Sequence, residues 1–566
     1  KTEAAAVTAA AAAAAAADPA ASPRLVFRMG ASPETLRSVL LHLEWEEWCA
    51  DFHDEHDWNL MWRSGHFKLS EVHSACATQH INHFPKSGII TNKGKLLRAH
   101  RKARTVFGKV YEFMPQSFLL PTEYTKFVKV FSQQEEKQIW ICKPDNSSCG
   151  RKIFLIRDLG DLIYDQQVVV QSYIERPLTV GGFKVDLRLY VLVTSFRPLR
   201  ALLYRDGLAR FGTQKYDASV DLSNLYAHLT NTSINKFSRT CNVEKDVIGA
   251  GCKWDFRQLR EWATSSGIDW HFLWARIRHT LSLTLLLATP AVRQHPQCFE
   301  LYGFDIIVDE KLKPWLLEVN CSPALGMDCD TDVRVKPPLL RDVVQVLNPQ
   351  AVTEDDRKRG RARAAALKGD RNGGAIGCSL QVVAAAVSTG RKVNVTEGRS
   401  RNTSQPKTQR NVKLGQRRGK RSSSSSSSRR SRSKSSSGRS GGRSRNEMSA
   451  SGGTGTLEPP AVQRDEKIYK HADYSRENIG NFEALLPFDK ESEEICSDFA
   501  LAEDGIAMQE KVKLLVASIR TKERLLVRQQ REELAQRKGR VASEDQVKAA
   551  TRILATSEAQ VQAGAM

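Results

Sequence analysis

The sequence predicts an α+β fold over residues 24–348, and three observations predict it. In FKVDLRLYVLVTSF, Val185, Leu187, Leu189 and Val191 alternate with Lys184, Asp186, Arg188 and Tyr190, the period of a strand buried on one face. WHFLWARIRHTLSLTLLLAT carries an apolar stripe through Phe272, Ile277 and Leu281 at helical spacing. LYGFDIIVDEKLKPWLLEVN sets two apolar runs around a polar turn at Asp309 to Lys313, an antiparallel hairpin. Strands and helices mixed in this way belong to α+β or α/β architectures.

The elements follow in order. SPETLRSVLLHLEWEEW predicts a helix with Ser32 as N-cap and Pro33 at the first helical position, where its missing N–H costs nothing. QIWICKP and RKIFLIRD predict strands flanking the loop DNSSCG, and QVVVQSYI predicts a buried strand. In the hairpin, a turn centred between Lys311 and Leu312 sets Asp305 opposite Glu318, with Cβ atoms about 5 Å apart. Period-two alternation turns Trp315, Leu317 and Val319 to a core and Leu316, Glu318 and Asn320 to the other face. Two facing carboxylates repel, and a hard divalent cation such as Mg²⁺ would use both together with the amide oxygen of Asn320. An ordinary hairpin with acids on its wet face accounts for this stretch equally well.

Composition divides the rest. Residues 1–23 are alanine-rich, 349–464 form a linker, and 465–566 a C-terminal extension with a long charged amphipathic helix, expected to be solvated or self-paired. Residues 399–446 hold 16 Lys or Arg and no acid, leaving +5 of the net charge of +21 for the remainder. Such a tract is expected to be disordered and to attract an acidic partner or RNA, or to serve as a phosphorylation-controlled address. Eleven cysteines without C-x-x-C or His/Cys clusters suit a reducing compartment. Lys1 and the following alanines faintly resemble a secretory leader, which that thiol pattern argues against. Apart from the weakly hydrophobic alanine tract, no apolar run reaches the roughly 18–20 residues that cross a bilayer.

Four polar sets carry chemistry. Lys143 ends a strand before a small-residue loop containing Gly150, a place for nucleotide phosphates. Lys184, Asp186 and Arg188 share one strand face, as a ligand site or as cross-strand ion pairs. Thr230, Asn231 and Ser233 lie in HLTNTSINK, which turn chemistry alone also explains. Asp305, Glu318 and Asn320 are the metal set. Together these sets describe a site that neutralises a triphosphate.

The ordered series WICKP, VVVQSYIERPL, KVDLRLYVLVT, GLARFGT, AHLTNTSINK, FELYGFDIIVD and PWLLEVNCSPAL resembles the tubulin–tyrosine ligase-like family of ATP-grasp amino-acid ligases, over residues 24–348. The resemblance implies an ATP-grasp-type domain holding ATP and Mg²⁺ between two β-rich lobes. It implies ATP contacts from Lys143, Cys149, Gly150, the hinge Gln171, Ser172, Tyr173 and Ile174, then Lys184, Val185, Asp186, Thr230 and Asn231, with Arg188 at the phosphates. It implies Asp305, Glu318 and Asn320 as Mg²⁺ ligands and Arg210 as the holder of free L-glutamate, with Ser233, Lys253 and Lys336 as weaker matches for that pocket. The expected reaction is polyglutamylation: glutamate joined through an acyl-phosphate to glutamate side chains of acidic tubulin tails. The expected setting is the cytoplasm and microtubule cytoskeleton, including cilium or basal body, without membrane or nucleic-acid partners. One departure stands out. The family reads SRGRGI where this chain reads SCGRKI, so Cys149 replaces an arginine and Lys152 a glycine. A catalytically impaired microtubule-binding protein and an RNA-associated protein led by the serine–arginine tract are the competing readings. A ligase for glycine or tyrosine is a third, against which Arg210 argues.

Overall fold

The computed structural model describes residues 24–369 and 479–563, except 31–32, 135–136, 146–151, 165, 218–221, 236–237, 239, 241–247, 249–251 and 500–504. These residues fall in one unit built from 1–373 and 473–566; the second unit, 374–472, with the basic tract at 399–446, lies outside the described residues, as do 1–23.

Three sheets follow one another along the chain. The first is parallel, in the order β2-β1-β3-β4, from β1 (Val26–Met29), β2 (Glu46–Glu47), β3 (Leu60–Trp62) and β4 (His80–Ile81). Helix α1 (Glu34–His42) buries Leu36, Val39 and Leu40 beside it. Its start corrects the expected cap by one residue: Pro33, extended at ψ 138°, is itself the N-cap, and Ser32 lies outside the described residues. Helix α2 (Lys93–Phe107) is capped by the Asn92 side chain, which accepts from the Lys95 N–H.

The second sheet is antiparallel, in the order β5-β8-β6-β7, from β5 (Ser117–Leu120), β6 (Trp140–Pro144), β7 (Phe154–Ile156) and β8 (Val168–Ser172). Trp140, Cys142, Val168 and Val170 bury one face around Phe127, so period two turns Ile141, Lys143 and Gln171 to the other.

The third sheet has seven strands. Its path is β12-β11-β10-β13-β14, from β10 (Phe183–Phe196), β11 (Leu199–Lys215), β12 (Lys253–Asp255), β13 (Glu300–Val308) and β14 (Pro314–Asn320). Off that path, β9 (Thr179–Val180) pairs with β10 and β15 (Phe482–Leu486) with β11. Leu187, Leu189 and Val191 of β10 share a core with Ile277, Leu281 and Leu285 of helix α3 (Trp270–Ala288). On the opposite face Tyr190 and Leu192 are covered by Leu339, Leu340 and Val343 of helix α4 (Asp330–Leu347). Lys184, Asp186 and Arg188 continue that second face past the apolar cover.

The hairpin pairs Asp305 with Glu318 as expected, but a bulge follows, since Ile306 pairs with Leu316 and leaves Leu317 extra. The extra residue reverses the predicted faces of Leu316 and Leu317, while Glu318 and Val319 keep theirs. Leu316 is buried with Val319 in the core, Leu317 turns to the cavity beside Glu318, and Trp315 is half-buried under the Lys313 ammonium, 3.7 Å from its ring centre.

The C-terminal segment enters the fold. Residues of β15 pair with Ala201 to Tyr204, and Glu483 accepts from Trp274 Nε1 at 2.9 Å and Arg278 Nη1 at 2.6 Å. Helix α5 (Gly505–Ala563) packs on α3 and buries Met508, Val512, Leu515, Val516 and Ile519 in the main core. This corrects the expectation of a solvated or self-paired helix: those five side chains recur at helical spacing because they have a surface to cover. Among the described residues, no helix is long and apolar enough to cross a membrane.

Candidate active site

One cavity is lined from the second and third sheets. Lys143 and the segment Gln171, Ser172, Tyr173 and Ile174 reach it from the second sheet and the turn after it; Lys184, Asp186, Asp305 and Glu318 reach it from the third; Thr230 and Asn231 close it from the loop before a short helix, Thr232–Asn235. Eleven of the predicted residues thus meet around one space. Ile141, Ile153, Leu229, Ile307 and Leu317 supply apolar walls. Val185 is the exception within the nucleotide set, because its side chain points from the opposite face of β10 into the core. Cys149 and Gly150 lie outside the described residues. Lys152 is described and holds φ +57°, a left-handed conformation that a glycine adopts at no steric cost and a lysine does not.

Behind the cavity runs a chain of guanidinium–carboxylate pairs set by strand register. Asp186 is paired with Arg210 across β10 and β11, and Arg188 with Asp305 across β10 and β13. Arg210 grips Asp186 with both forks, Nε to Oδ1 at 2.7 Å and Nη2 to Oδ2 at 2.6 Å, and reaches Asp305 Oδ2 at 2.9 Å. Arg188 grips Asp305 from the other side, at 2.5 and 3.0 Å. Gly303 makes room for this: a Cβ there would sit 3.2 Å from Arg188 Cδ and 2.7 Å from Pro323 Cβ. Burial opposes ionisation of Asp305, but the two guanidiniums outweigh it and hold its carboxyl well below the usual carboxylate range.

The two cavity lysines are buried and have no such carboxylate partner among the described residues. Lys143 Nζ donates to Gln171 Oε1 at 2.7 Å, and Lys184 Nζ to the Tyr173 hydroxyl at 2.6 Å. Burial pushes Lys143 down to about 8, with Lys93 adding to the drop against Glu318 and Asp305. Burial likewise pushes Lys184 down to about 7, Asp186 opposing and Lys143 reinforcing. An anion entering the cavity would find two ammonium groups short of negative charge.

The remaining predicted residues gather beside the cavity. Arg210 pairs in register with Lys253 on β12. Lys253 and Lys336 converge on buried Asp332, at 2.6 Å to Oδ2 and 2.9 Å to Oδ1. Ser233 is half-buried in the short helix and is not among the cavity-lining residues. Asn320 lies past the cavity and donates Nδ2 to the Gly303 carbonyl at 3.2 Å. Among the described residues no group of three or more His, Cys, Asp and Glu is placed to hold a metal. Asp305 and Glu318 nevertheless form a facing pair of hard oxygen donors at the cavity wall, and that donor chemistry fits Mg²⁺ shared with phosphates. Sequence reasoning missed Lys93, which lines the cavity 3.4 Å from Glu318, and His228, bonded to the Tyr173 hydroxyl at 3.1 Å. Nothing local marks either; Asn92 signals a helix start but not what that start faces.

A family model described as the tubulin-tyrosine ligase family matches residues 70–358. The chain belongs to the tubulin-tyrosine ligase family. The match takes in every predicted site residue and ends before β15 and α5. Curated relatives include the probable tubulin polyglutamylase TTLL2 of Homo sapiens, 41% identical over 361 residues that cover 62% of this chain and 61% of that protein. TTLL2 of Mus musculus is 42% identical over 344 residues, 60% of this chain and 64% of that protein. Tubulin polyglutamylase TTLL5 of Mus musculus is 37% identical over 313 residues, 52% of this chain and 23% of that protein. The chain thus spans less than two thirds of the length of each.

Proposed function

We propose that this member of the tubulin-tyrosine ligase family is an ATP-dependent ligase that adds glutamate to glutamate side chains in acidic tubulin tails, in the cytoplasm and on microtubules. The observation that carries the reading is the shared cavity: under-neutralised Lys143 and Lys184 face the acid pair Asp305 and Glu318 across one space. With all groups charged, Lys93, Lys143, Lys184, Arg188 and Arg210 oppose Asp186, Asp305 and Glu318, a balance of +2 that complements MgATP²⁻. In this reading the domain is of ATP-grasp type, its nucleotide held between the second and third sheets. Lys143 and Lys184 hold phosphates, the segment Gln171–Ile174 holds the base, and Thr230 and Asn231 hold the ribose–phosphate region. Asp305 and Glu318, with Asn320, would hold Mg²⁺, which supplies charge neutralisation at the transferring phosphoryl group.

The acceptor carboxylate attacks the γ-phosphate, ADP leaves, and the acyl-phosphate is captured by the amine of free glutamate with release of phosphate. Arg210, Lys253 and Lys336, with Ser233, would position the free glutamate, whose extra carboxylate suits a guanidinium. No enzyme nucleophile is required. The names of the curated relatives support tubulin as acceptor and glutamate as the added group. The test is ADP release and product mass with a glutamate-containing tail peptide, ATP, Mg²⁺ and glutamate, for wild type and Glu318→Gln. Wild type should add glutamate masses, and Glu318→Gln should lose at least about a hundred-fold in rate. Its melting temperature should hold, because Glu318 is half-buried and, among the described residues, has Lys93 alone as an ion-pair partner. A second reading, a catalytically impaired family member, is favoured by Lys152 in the left-handed region where the family has glycine. Wild type without ADP release would select it.

A further inference from the structure

Helix α2 leaves the cavity and carries positive charge outward. Its first residue, Lys93, lines the cavity, and the Gly94 N–H donates to Asp145 Oδ1 at 2.7 Å, pinning that end to the turn after β6. The helix, KGKLLRAHRKARTVF, holds six Lys or Arg and no acid. Three of its cations have ion-pair partners: Lys93 lies near Glu318, Arg101 is 2.5 Å from Glu123, and Arg104 is 2.6 Å from Glu112. Lys95, Arg98 and Lys102 are exposed and carry no ion pair among the described residues. Their spacing of i, i+3 and i+7 sets them on one helix face, where like charges repel in the absence of a counter-charge.

We propose that Lys95, Arg98 and Lys102 form a docking face for an acidic polypeptide whose reacting glutamate enters the cavity beside Lys93. This rests on the ligase reading above and assigns part of its substrate recognition. The helix rise places Lys102 roughly 14 Å beyond Lys93, and an extended chain covers ~3.3 Å per residue. Acceptor carboxylates that meet the face therefore lie within about four residues of the modified position, on one side of it only. Flexible side chains with little geometric demand suit an acceptor whose acids vary in register.

The experiment uses the full chain and two synthetic peptides. One carries a single acceptor glutamate with neutral flanks; the other adds three acidic residues within four positions of it. Wild type should show a KM about ten-fold lower for the acidic peptide, the size expected of three exposed ion pairs. The combined variant Lys95→Gln, Arg98→Gln, Lys102→Gln should lose that preference, with kcat, the KM for ATP and the neutral-peptide KM unchanged. An equal preference in the variant would overturn the proposal by placing acid recognition elsewhere, and a matching kcat loss on both peptides would make the row structural. If no acceptor is modified, the ligase reading fails by itself. Fluorescence anisotropy of the labelled acidic peptide at low salt then decides the docking face: weaker binding by the variant supports it, and equal Kd values overturn it.

Discussion

Arg210 ties strands together. It is buried, and its fork to Asp186 and contact with Asp305 link three strands. Arg210→Ala would leave Asp186 without its bidentate partner, so the free energy of unfolding should fall by about 3–5 kcal/mol, read from denaturant curves. Arg210→Lys should recover only part, because a point charge cannot reproduce the fork. If the residue also positions free glutamate, the KM for glutamate will rise more than that for ATP among molecules that remain folded. Unchanged stability would mean that the fork is absent in solution. The cavity lysines give a second prediction. In the free protein Lys184 and Lys143 release protons near pH 7 and 8. A bound polyphosphate would keep both charged, so binding takes up protons in that window and ATP affinity weakens as pH rises from about 7 to about 9. Folding stability runs the other way. The unfolded lysines, at about 10.4, bind more protons than the folded ones, so stability rises with pH between the folded and unfolded values. Calorimetric ATP titrations in two buffers of different ionisation heat would show the uptake; equal heats would remove the linkage.

At the scale of elements, the third sheet depends on a segment far along the sequence. Strand β15 completes its pairing at Ala201 to Tyr204, and α5 closes the core over α3. Leu515 is fully buried there, so Leu515→Ala should lower stability by about 2–5 kcal/mol. A change below about 0.5 kcal/mol in chemical unfolding would mean that α5 does not rest on the core in solution. The β14 bulge shows how one extra residue alters a site. Without it the predicted alternation would turn Leu317 inward and Leu316 toward the cavity; with it Leu317 and Glu318 both line the cavity.

For the whole molecule, charge is divided between the 399–446 tract, with 16 Lys or Arg and no acid, and the rest of the sequence, which carries +5 of the net +21. Deleting 399–446 should leave ligation of a short peptide unchanged while weakening binding to a polymeric acidic partner such as microtubules. The binding that is lost should be the salt-sensitive part, because exposed charges beyond a Debye length are screened. Co-sedimentation at low and high salt would read this, and equal binding with and without the tract would assign the attraction to the folded unit.

The sequence by itself determined the strand of Phe183–Phe196, the helix of Trp270–Ala288, the opposition of Asp305 and Glu318, and most of the polar residues that meet at the cavity. Each is written in a local period or in symmetry about a turn, and both survive without knowledge of the rest of the chain. Only the tertiary structure decided that Lys93 and His228 join that cavity, that Arg210 closes on Asp186, and that Phe482–Leu486 completes the sheet. Those contacts join residues distant in the chain, and no periodicity in either partner encodes which strand edge, carboxylate or core face the other will find.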